Sequence, residues 1–207
     1  MWSDRRTTVA EMRMAVDAFV GERDWRRYHT PVNLASAMVV EAAELLELFQ
    51  WRRDGDPVPE DVVTAAAEEL ADVLHYALAL ANATEAKLPI DDMTLNQACE
   101  RTDAWLLEPG EGAGKGSVKR TVEQVVSSAA VVLGVVRLSE LGDREPAGSV
   151  RGPPSEVSDM AEPMEDLFNV ILQCARDLGI DLSRELDAKM GKNKRRFPVG
   201  SKPDVGY

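Results

Sequence analysis

The amino-acid sequence predicts an all-α protein. Apolar residues recur at helical spacing along most of the 207 residues, and no convincing run alternates apolar and polar residues as a half-buried strand does. Apolar residues make up 44% of the chain, which is enough for a real core in one compact domain or two small ones. We therefore expect a helical bundle.

Proline, glycine and aspartate residues mark where the predicted helices begin and end. Pro31 precedes the second helix, the segment RDGDPVPED separates the second from the third, and Pro89 breaks the third. The predicted helices cover about residues 7–22, 33–53, 60–87, 91–107, 118–141, 159–178 and 182–196. Two stretches rich in glycine, proline and polar residues, 108–117 and 142–158, are predicted to be flexible connections.

The order of helices in the second half resembles that in the first. VVSSAAVVLGVV at 125–136 parallels VVEAAELLELFQ at 39–50, and EPMEDLFNVIL at 162–172 parallels EELADVLHYAL at 68–78. We infer an internal duplication in which two helical hairpins pack together. The predicted division is a first repeat (1–107), a linker (108–117), a degenerate second repeat (118–198) that includes the flexible loop 142–158, and a C-terminal tail (199–207).

The net charge of -12 restricts the partners that we expect. Binding to nucleic acid or to an anionic membrane requires clustered Lys and Arg over a whole face, so we expect neither. No apolar run approaches the roughly 18 residues of a membrane span, and the N-terminus lacks the apolar segment of a signal peptide. The sequence therefore indicates a cytoplasmic protein.

Two pairs of acidic residues lie at the edges of apolar helix faces. Glu41 and Glu44 stand three residues apart in EAAELLELFQW, and Glu69 and Asp72 have the same spacing in EELADVLHY. This spacing places both carboxylates of a pair on one helix face, about 5 to 6 Å apart at Cβ. If the two helices pack together, four carboxylates converge, and their repulsion and lost hydration require a cation.

The residue types indicate which cation would bind. The set contains oxygen ligands and no His or Cys, so Mg²⁺ is favoured and zinc is not. Glu68 and His75 lie further from the apolar row. We expect Glu68 to be solvated or to lie just behind the metal ligands, and His75 to be a surface histidine.

Three segments carry a resemblance to a known family: ERDWRRYHTPVNLASAMVVEAAELLELFQW, then EELADVLHY, then KMGKNKRRFP. Together they resemble the MazG-like all-α nucleoside triphosphate pyrophosphohydrolases, most closely the dCTP pyrophosphatase branch. The resemblance implies a helical bundle that binds Mg²⁺ through Glu41, Glu44, Glu69 and Asp72. It implies hydrolysis of a (deoxy)nucleoside triphosphate, dCTP or a related pyrimidine nucleotide, to the monophosphate and pyrophosphate, with Glu41 or Glu44 also accepting the proton of the attacking water.

The same resemblance implies two binding regions for the rest of the substrate. Trp25, His29 and Trp51 would form the wall of a base pocket. The phosphates would contact a basic tail within 189–198, through Lys189, Asn193, Arg195 and Arg196. Relatives often carry a histidine nine residues before the counterpart of Trp25, where this chain has Val16. This difference weakens the implied preference for cytosine.

The two halves differ from the family pattern in complementary places. In the second half, the segment SSAAV at 127–131 replaces the first carboxylate pair and contains no acid. The basic tail is intact only in the second half. We therefore expect a fused pseudo-dimer with one composite site, either monomeric or paired as a homodimer.

Two other interpretations remain open. Another pyrophosphohydrolase of the same superfamily, acting on dUTP or on phosphoribosyl-ATP, would keep the metal ligands and change the base pocket. A non-catalytic helical scaffold or nucleotide sensor would keep the bundle without turnover.

Overall fold

The computed structural model describes residues 1–53, 55–106, 117–142 and 160–201. Within these residues the chain forms seven helices and no strand, so the predicted all-α class is confirmed. The helices are α1 (Val9–Glu22), α2 (Pro31–Glu47), α3 (Glu60–Ala83), α4 (Leu95–Leu106), α5 (Val118–Gly142), α6 (Ala161–Leu178) and α7 (Leu182–Arg196). Of the predicted connections, residues 108–116 and 143–158 lie outside the described residues, as do residues 202–207 of the predicted tail.

The helix ends follow from local capping. Thr8 and Glu11 form a reciprocal capping box at the start of α1, and the Thr30 side chain accepts a hydrogen bond from the Asn33 amide at the start of α2. α6 ends at Leu178 and is capped by Gly179, whose φ of 69° is in the left-handed region that favours glycine. These signals explain why most predicted boundaries lie close to the observed ones.

The second helix is shorter than the sequence predicted. α2 ends at Glu47, and the next four residues continue as turns in which the Phe49 and Gln50 amides both donate to the Leu46 carbonyl at 2.9 Å. Phe49 remains buried against the core, whereas Trp51 is 89% exposed. Phe49 and Trp51 therefore lie on opposite sides of this turn, one in the core and one in solvent.

One hydrophobic core joins the two halves of the chain. α2 packs against α3 and α5, and α5 packs against α6. Fully buried residues from both halves contribute to this core, among them Met38, Leu45, Leu70, Leu74, Val125, Val132, Met164 and Leu167. The two predicted repeats therefore share one core and are not separate units.

The last helices of the two halves pack across the molecule. α7, from the second half, packs against α3, while α4, from the first half, packs against α6. Reciprocal packing of this kind is typical of two equivalent units that exchange an element. The observed contacts agree with the inferred duplication, which itself stays a prediction.

α5 has a property that the sequence analysis did not expect. Its segment Val118–Ser139 is long and apolar enough to cross a membrane by length and composition alone, which corrects the expectation that no such segment exists. One third of its most apolar window is buried, and Val131 and Leu138 are exposed. A core helix of a soluble protein meets the same criterion, so one such helix is only a weak indication of a membrane span. The cytoplasmic location stays a prediction.

Candidate active site

Three carboxylates converge where α2 packs against α3. Glu41 of α2 and Glu69 and Asp72 of α3 each place an oxygen within 4.8 Å of the others, and we call these three residues the acidic group. Asp72 is buried, while Glu41 and Glu69 are half-buried. Glu44, the fourth predicted ligand, has an exposed side chain and lies beside the acidic group, where its charge acts on all three members. The predicted convergence of the two carboxylate pairs is therefore observed for three of the four residues.

Burial and like charges make the acidic group electrostatically unfavourable. Burial, together with the charges of Asp72, Glu44 and Glu69, raises the pKa of Glu41 to about 7. Burial and the charge of Asp72 also raise the pKa of Glu69. The pKa of Asp72 is raised by burial, against the opposing effect of a hydrogen bond from Lys189. The three carboxylates thus resist ionisation in the absence of a compensating cation.

Lys189 of α7 supplies one positive charge to this group. Its ammonium forms an ion pair with Asp72, and the two side chains are only 23% and 11% exposed. Burial lowers the pKa of Lys189, but the hydrogen bond to Asp72 and the charges of Glu41 and Glu69 outweigh this effect, so the pKa is raised overall. A residue of the second half therefore reaches the carboxylates of the first half, as the composite site requires.

The ligand chemistry of the acidic group fits a divalent cation with a preference for oxygen. All three members offer carboxylate oxygens, and neither His nor Cys belongs to the group. One ammonium leaves most of the negative charge of Glu41, Glu44, Glu69 and Asp72 uncompensated. A hard cation of two charges would relieve the repulsion that raises these pKa values.

The other predicted phosphate-binding residues extend along α7 from Lys189. Residues spaced four and seven positions apart share one helix face, so Lys189, Asn193 and Arg196 follow one another along α7. Arg195 and Arg196 are exposed, and the Arg196 guanidinium lies 5.0 Å from the Phe197 ring centroid. Of the four predicted residues, the structure brings Lys189 into ion-pair contact with the acidic group.

The residues predicted for the base pocket lie in different environments. Trp25 is 6% exposed, packs edge-on against Phe19 and Phe197, and donates its indole N–H to the Ser201 carbonyl at 2.8 Å. His29 lies next to it, with ring centroids 6.1 Å apart, and burial lowers the pKa of His29. Trp51 is exposed and is not part of this cluster. The structure thus brings together Trp25 and His29 and leaves Trp51 apart.

Arg23 holds the end of α7 against this aromatic cluster. Its buried guanidinium donates to the Phe197 carbonyl at 2.7 Å and to the Phe19 carbonyl at 3.0 Å, and lies over the Phe19 ring. This contact joins the end of α1 to Phe197, the residue that follows α7. Arg23 was not among the predicted site residues, although its place in the motif ERDW was a signal.

Two residues on α3 connect the acidic group with the aromatic cluster. The expectation of a surface histidine at position 75 is wrong: His75 is 6% exposed, packs edge-on against Phe19 and Tyr76, and has no hydrogen-bond partner for Nδ1. α3 is covered on this side by α1 and α7, which the wheel position alone did not reveal. Burial, followed by the charges of Glu41 and Asp72, raises the pKa of Tyr76 to about 12. Tyr76 was identifiable as the residue one turn beyond Asp72.

A cavity of about 280 Å³ lies between α1 and α3, beside His29. Its volume is near the lower end for small-molecule sites. Apolar residues and four polar ones line it: Val16, Asp17, Val20, Arg26, His29, Pro31, Ala79, Asn82 and Ala83. Arg26 and Asp17 form a bidentate pair at its edge, with distances of 2.7 and 2.9 Å. The cavity therefore combines an apolar surface with polar groups that can orient a ligand.

Comparison with curated proteins gives relatives for part of the chain. Human dCTP pyrophosphatase 1 is 44% identical over 87 residues, which are 40% of this chain and 51% of that protein. Rat dCTP pyrophosphatase 1 is 37% identical over 129 residues, or 53% of this chain and 76% of that protein. The mouse protein of the same name is 43% identical over 86 residues, covering 40% of this chain and 51% of that protein. No family model and no solved structure matches the chain.

The helical fold and the carboxylate pairs on two packed helices are those of the MazG-like all-α class, as the sequence predicted. The match to the rat relative extends over 76% of that protein at 37% identity, so the chain belongs to the dCTP pyrophosphatase family. The chain spans about half the length of the human and mouse relatives that it matches. Membership in this family implies a divalent metal cofactor, for which the acidic group offers ligands.

Proposed function

We propose that the chain hydrolyses a (deoxy)nucleoside triphosphate, dCTP or a related pyrimidine nucleotide, to the monophosphate and pyrophosphate. The observation that carries this proposal is the acidic group, in which one buried and two half-buried carboxylates from two helices converge on the ammonium of Lys189. An arrangement that is unfavourable by itself is typical of a site that binds a cation and charged substrate. The names of the curated relatives supply the substrate class.

The proposed cofactor is Mg²⁺, with Glu41, Glu44, Glu69 and Asp72 as its ligands. When bound, Mg²⁺ neutralises phosphate charge and lowers the pKa of bound water. Glu41, Glu69 and Asp72 would hold the cation, with Glu44 as the fourth ligand. Glu41 or Glu44 would accept the proton of the attacking water through a carboxylate oxygen that does not hold the cation. The Glu44 carboxylate is exposed and lies close enough to Glu41 for its charge to act on it.

The basic face of α7 would bind the phosphates. Lys189 already lies at the acidic group, and Asn193 and Arg196 follow on the same face. An ammonium, an amide and a guanidinium at one-turn intervals suit an extended triphosphate. Arg195, the fourth predicted residue, adds to the local positive charge. In this proposal the chain forms one composite site as a pseudo-dimer, alone or as a homodimer.

The base would bind at the cavity between α1 and α3. His29 lies at the cavity edge and next to Trp25, which supports the predicted roles of these two residues. Val16 lines the same cavity, so its departure from the family pattern bears on base preference. Trp51 would contact the base only if the turn that follows α2 moved, because its side chain is 89% exposed.

The experiment is a substrate panel with two matched variants. Canonical pyrimidine and purine (deoxy)nucleoside triphosphates are tested with Mg²⁺, and pyrophosphate release is measured for wild type, Glu69→Gln and Glu68→Gln. Glu69→Gln removes a member of the acidic group, so we expect kcat to fall about a hundredfold or more. Glu68→Gln changes the neighbouring exposed residue, which pairs with Lys192 at 2.6 Å, and we expect nearly full activity.

The panel also separates the alternatives. Preferred turnover of dUTP would assign the chain to another substrate within the superfamily. Nucleotide binding without pyrophosphate release from any triphosphate would overturn the enzymatic proposal in favour of a sensor or scaffold. Equal activity of Glu69→Gln and wild type would overturn the role of the acidic group.

A further inference from the structure

The position of Lys189 raises a question about how a cation enters the acidic group. Its ammonium pairs with Asp72 and faces Glu41 and Glu69, so it lies among the same oxygen ligands that a divalent cation would use. Both partners are largely shielded from water, with side-chain exposures of 23% and 11%. The pair is therefore a part of the folded site and differs from an exposed surface pair, which is worth little.

We propose that Lys189 is an internal counter-ion that competes with the divalent cation for Asp72, so that the metal and the triphosphate bind in a coupled manner. The inference rests on the proposed function, because it assumes that the acidic group holds a metal. It assigns to Lys189 a role that differs from phosphate binding alone. Lys189 holds the site in a metal-poor state until a nucleotide provides another partner for its ammonium.

The competition follows from charge and space. A divalent cation that binds Asp72 displaces the ammonium from that carboxylate, and the two cations repel each other across a partly desolvated site. Without nucleotide, the displaced ammonium loses its hydrogen bond to Asp72 and must share the charges of Glu41 and Glu69 with the metal, so it has no anionic partner of its own. With nucleotide, the phosphates provide that partner, so the metal and the ammonium are both neutralised.

The anchoring of α7 lets Lys189 change partner without moving the helix. Leu186 and Met190, on either side of Lys189 in the sequence, are 0% and 4% exposed, and α7 packs against α3. The lysine stem is long and flexible, so its ammonium can move from Asp72 to a phosphate by side-chain rotation. The exchange therefore requires only a rotamer change and no change in the fold.

By binding linkage, the metal and the phosphate must change each other's affinity by the same factor. If releasing Lys189 from Asp72 increases metal affinity, metal binding increases the affinity for a phosphate group that engages Lys189 by the same factor. The chain would then bind its metal and its triphosphate together and bind each of them poorly when alone.

Lys192 provides a matched control on the same helix. It also pairs with an acid of α3, Glu68, at 2.6 Å, but these side chains are 53% and 46% exposed and Glu68 is not a member of the acidic group. A substitution at Lys192 removes the same charge from α7 without changing the contacts of Asp72.

The test measures Mg²⁺ binding to the nucleotide-free full chain by isothermal titration calorimetry, and repeats it with Mn²⁺. Wild type, Lys189→Met and Lys192→Met are compared after treatment with chelator. Removing an adjacent positive charge at a partly buried site should tighten divalent-cation binding roughly tenfold or more in Lys189→Met. Lys192→Met should bind within about twofold of wild type, since exposed charges are screened.

A stability measurement keeps the test valid if Lys189→Met folds poorly. Without its counter-ion the acidic group repels itself, so the Tm of Lys189→Met in chelator should be below that of wild type. Mg²⁺ should then raise the Tm of this variant more than that of wild type. Lys189→Arg keeps the charge and should behave as wild type in both measurements.

The outcomes distinguish this inference from the proposed function. Equal Mg²⁺ affinity of wild type and Lys189→Met, or weaker binding by the variant, would overturn the competition and leave the metal site intact. If neither protein binds Mg²⁺ or Mn²⁺ and neither hydrolyses a triphosphate, the proposed metal site fails and the inference fails with it.

Discussion

At the scale of single residues, Glu41 and His75 respond to pH in opposite directions. Burial and like charges raise the pKa of Glu41 to about 7, so the folded state binds its proton more tightly than the unfolded state does. Burial, followed by the charges of His29 and Lys189, lowers the pKa of His75 to about 4, so the folded state holds it neutral. As pH falls from about 7 to about 4, proton uptake by Glu41 in the folded state increases stability, whereas proton uptake by His75 in the unfolded state decreases it.

A substitution at His75 isolates one of these contributions. Below about pH 6.5 the unfolded chain protonates His75 and the folded chain does not, so the free energy of unfolding falls as pH decreases towards 4. At about 1.4 kcal/mol per pKa unit, this contribution is about 3 kcal/mol at full extent. We expect His75→Phe, which keeps an aromatic ring against Phe19, to lose that dependence in urea unfolding at a series of pH values in chelator.

The comparison with His29 completes this prediction. His29 is only half-buried, so His29→Gln should change the pH dependence of unfolding less than His75→Phe does. Identical pH profiles for wild type and His75→Phe would contradict the prediction and show that His75 titrates normally in the folded chain.

The same residues show how far the sequence predicts the site. Two acidic pairs at equal spacing predicted the acidic group, because side chains three residues apart share a helix face whatever the tertiary contacts are. The pairing of Lys189 with Asp72 was not predicted, because it depends on how α7 lies on α3. The burial of His75 was missed for the same reason, since only tertiary packing covers that side of α3.

At the scale of elements, α7 depends on contacts from the opposite end of the chain. It carries five basic residues between 189 and 196 and buries few apolar ones. Two carboxylates cap its N-terminus: Asp181 accepts from the Arg184 amide, and Asp4 accepts from the Leu182 and Ser183 amides at 3.0 and 2.7 Å. The first residues of the chain thereby help to hold the helix that carries Lys189.

Removing the Asp4 carboxylate, which caps the N-terminus of α7, should destabilise the first turn of that helix selectively. Burial raises the pKa of Asp4, against the hydrogen bonds from Ser183 and Leu182, so desolvation offsets part of the gain. We therefore expect Asp4→Ala to lower the free energy of unfolding by about 1 kcal/mol. Hydrogen exchange at the amides of the first turn of α7 should increase, with little change in α3.

Arg5 offers the control for this helix. It is the exposed neighbour of Asp4, so Arg5→Ala should leave both stability and exchange nearly unchanged. Equal stability of Asp4→Ala and Arg5→Ala would show that Asp181 alone is sufficient to cap α7.

Local chemistry also explains which helix boundaries the sequence predicts. The start of α7 after Asp181 and the end of α6 at Gly179 follow from capping residues, and both lie where predicted. The end of α2 was predicted six residues too late, because no Pro or Gly interrupts the helical spacing of ELLELFQWRR before Gly55. The partition of Phe49 into the core and Trp51 into solvent depends on tertiary packing.

At the scale of the whole molecule, the two halves are joined by packing and by charge. α2 and α5 share the core, while α4 and α7 each pack against a helix of the other half. The chain has a net charge of -12, yet its basic helix lies against the carboxylates of α3 through two ion pairs. An arrangement of this kind predicts that the halves unfold as one cooperative unit.

This cooperativity can be measured because all four tryptophans lie in the first half, at positions 2, 25, 51 and 105. Tryptophan fluorescence therefore reports on the first half, while far-ultraviolet circular dichroism reports on all helices. Phe168 lies in the second half and is 1% exposed, so Phe168→Ala should reduce the free energy of unfolding by about 3 to 5 kcal/mol. Because the core is shared, we expect both signals to shift together to the same lower urea midpoint. Val131→Ala, at an exposed position on α5, is the control and should change the midpoint little. If Phe168→Ala left the fluorescence transition at the wild-type urea midpoint, the first half would fold alone and the prediction would be contradicted.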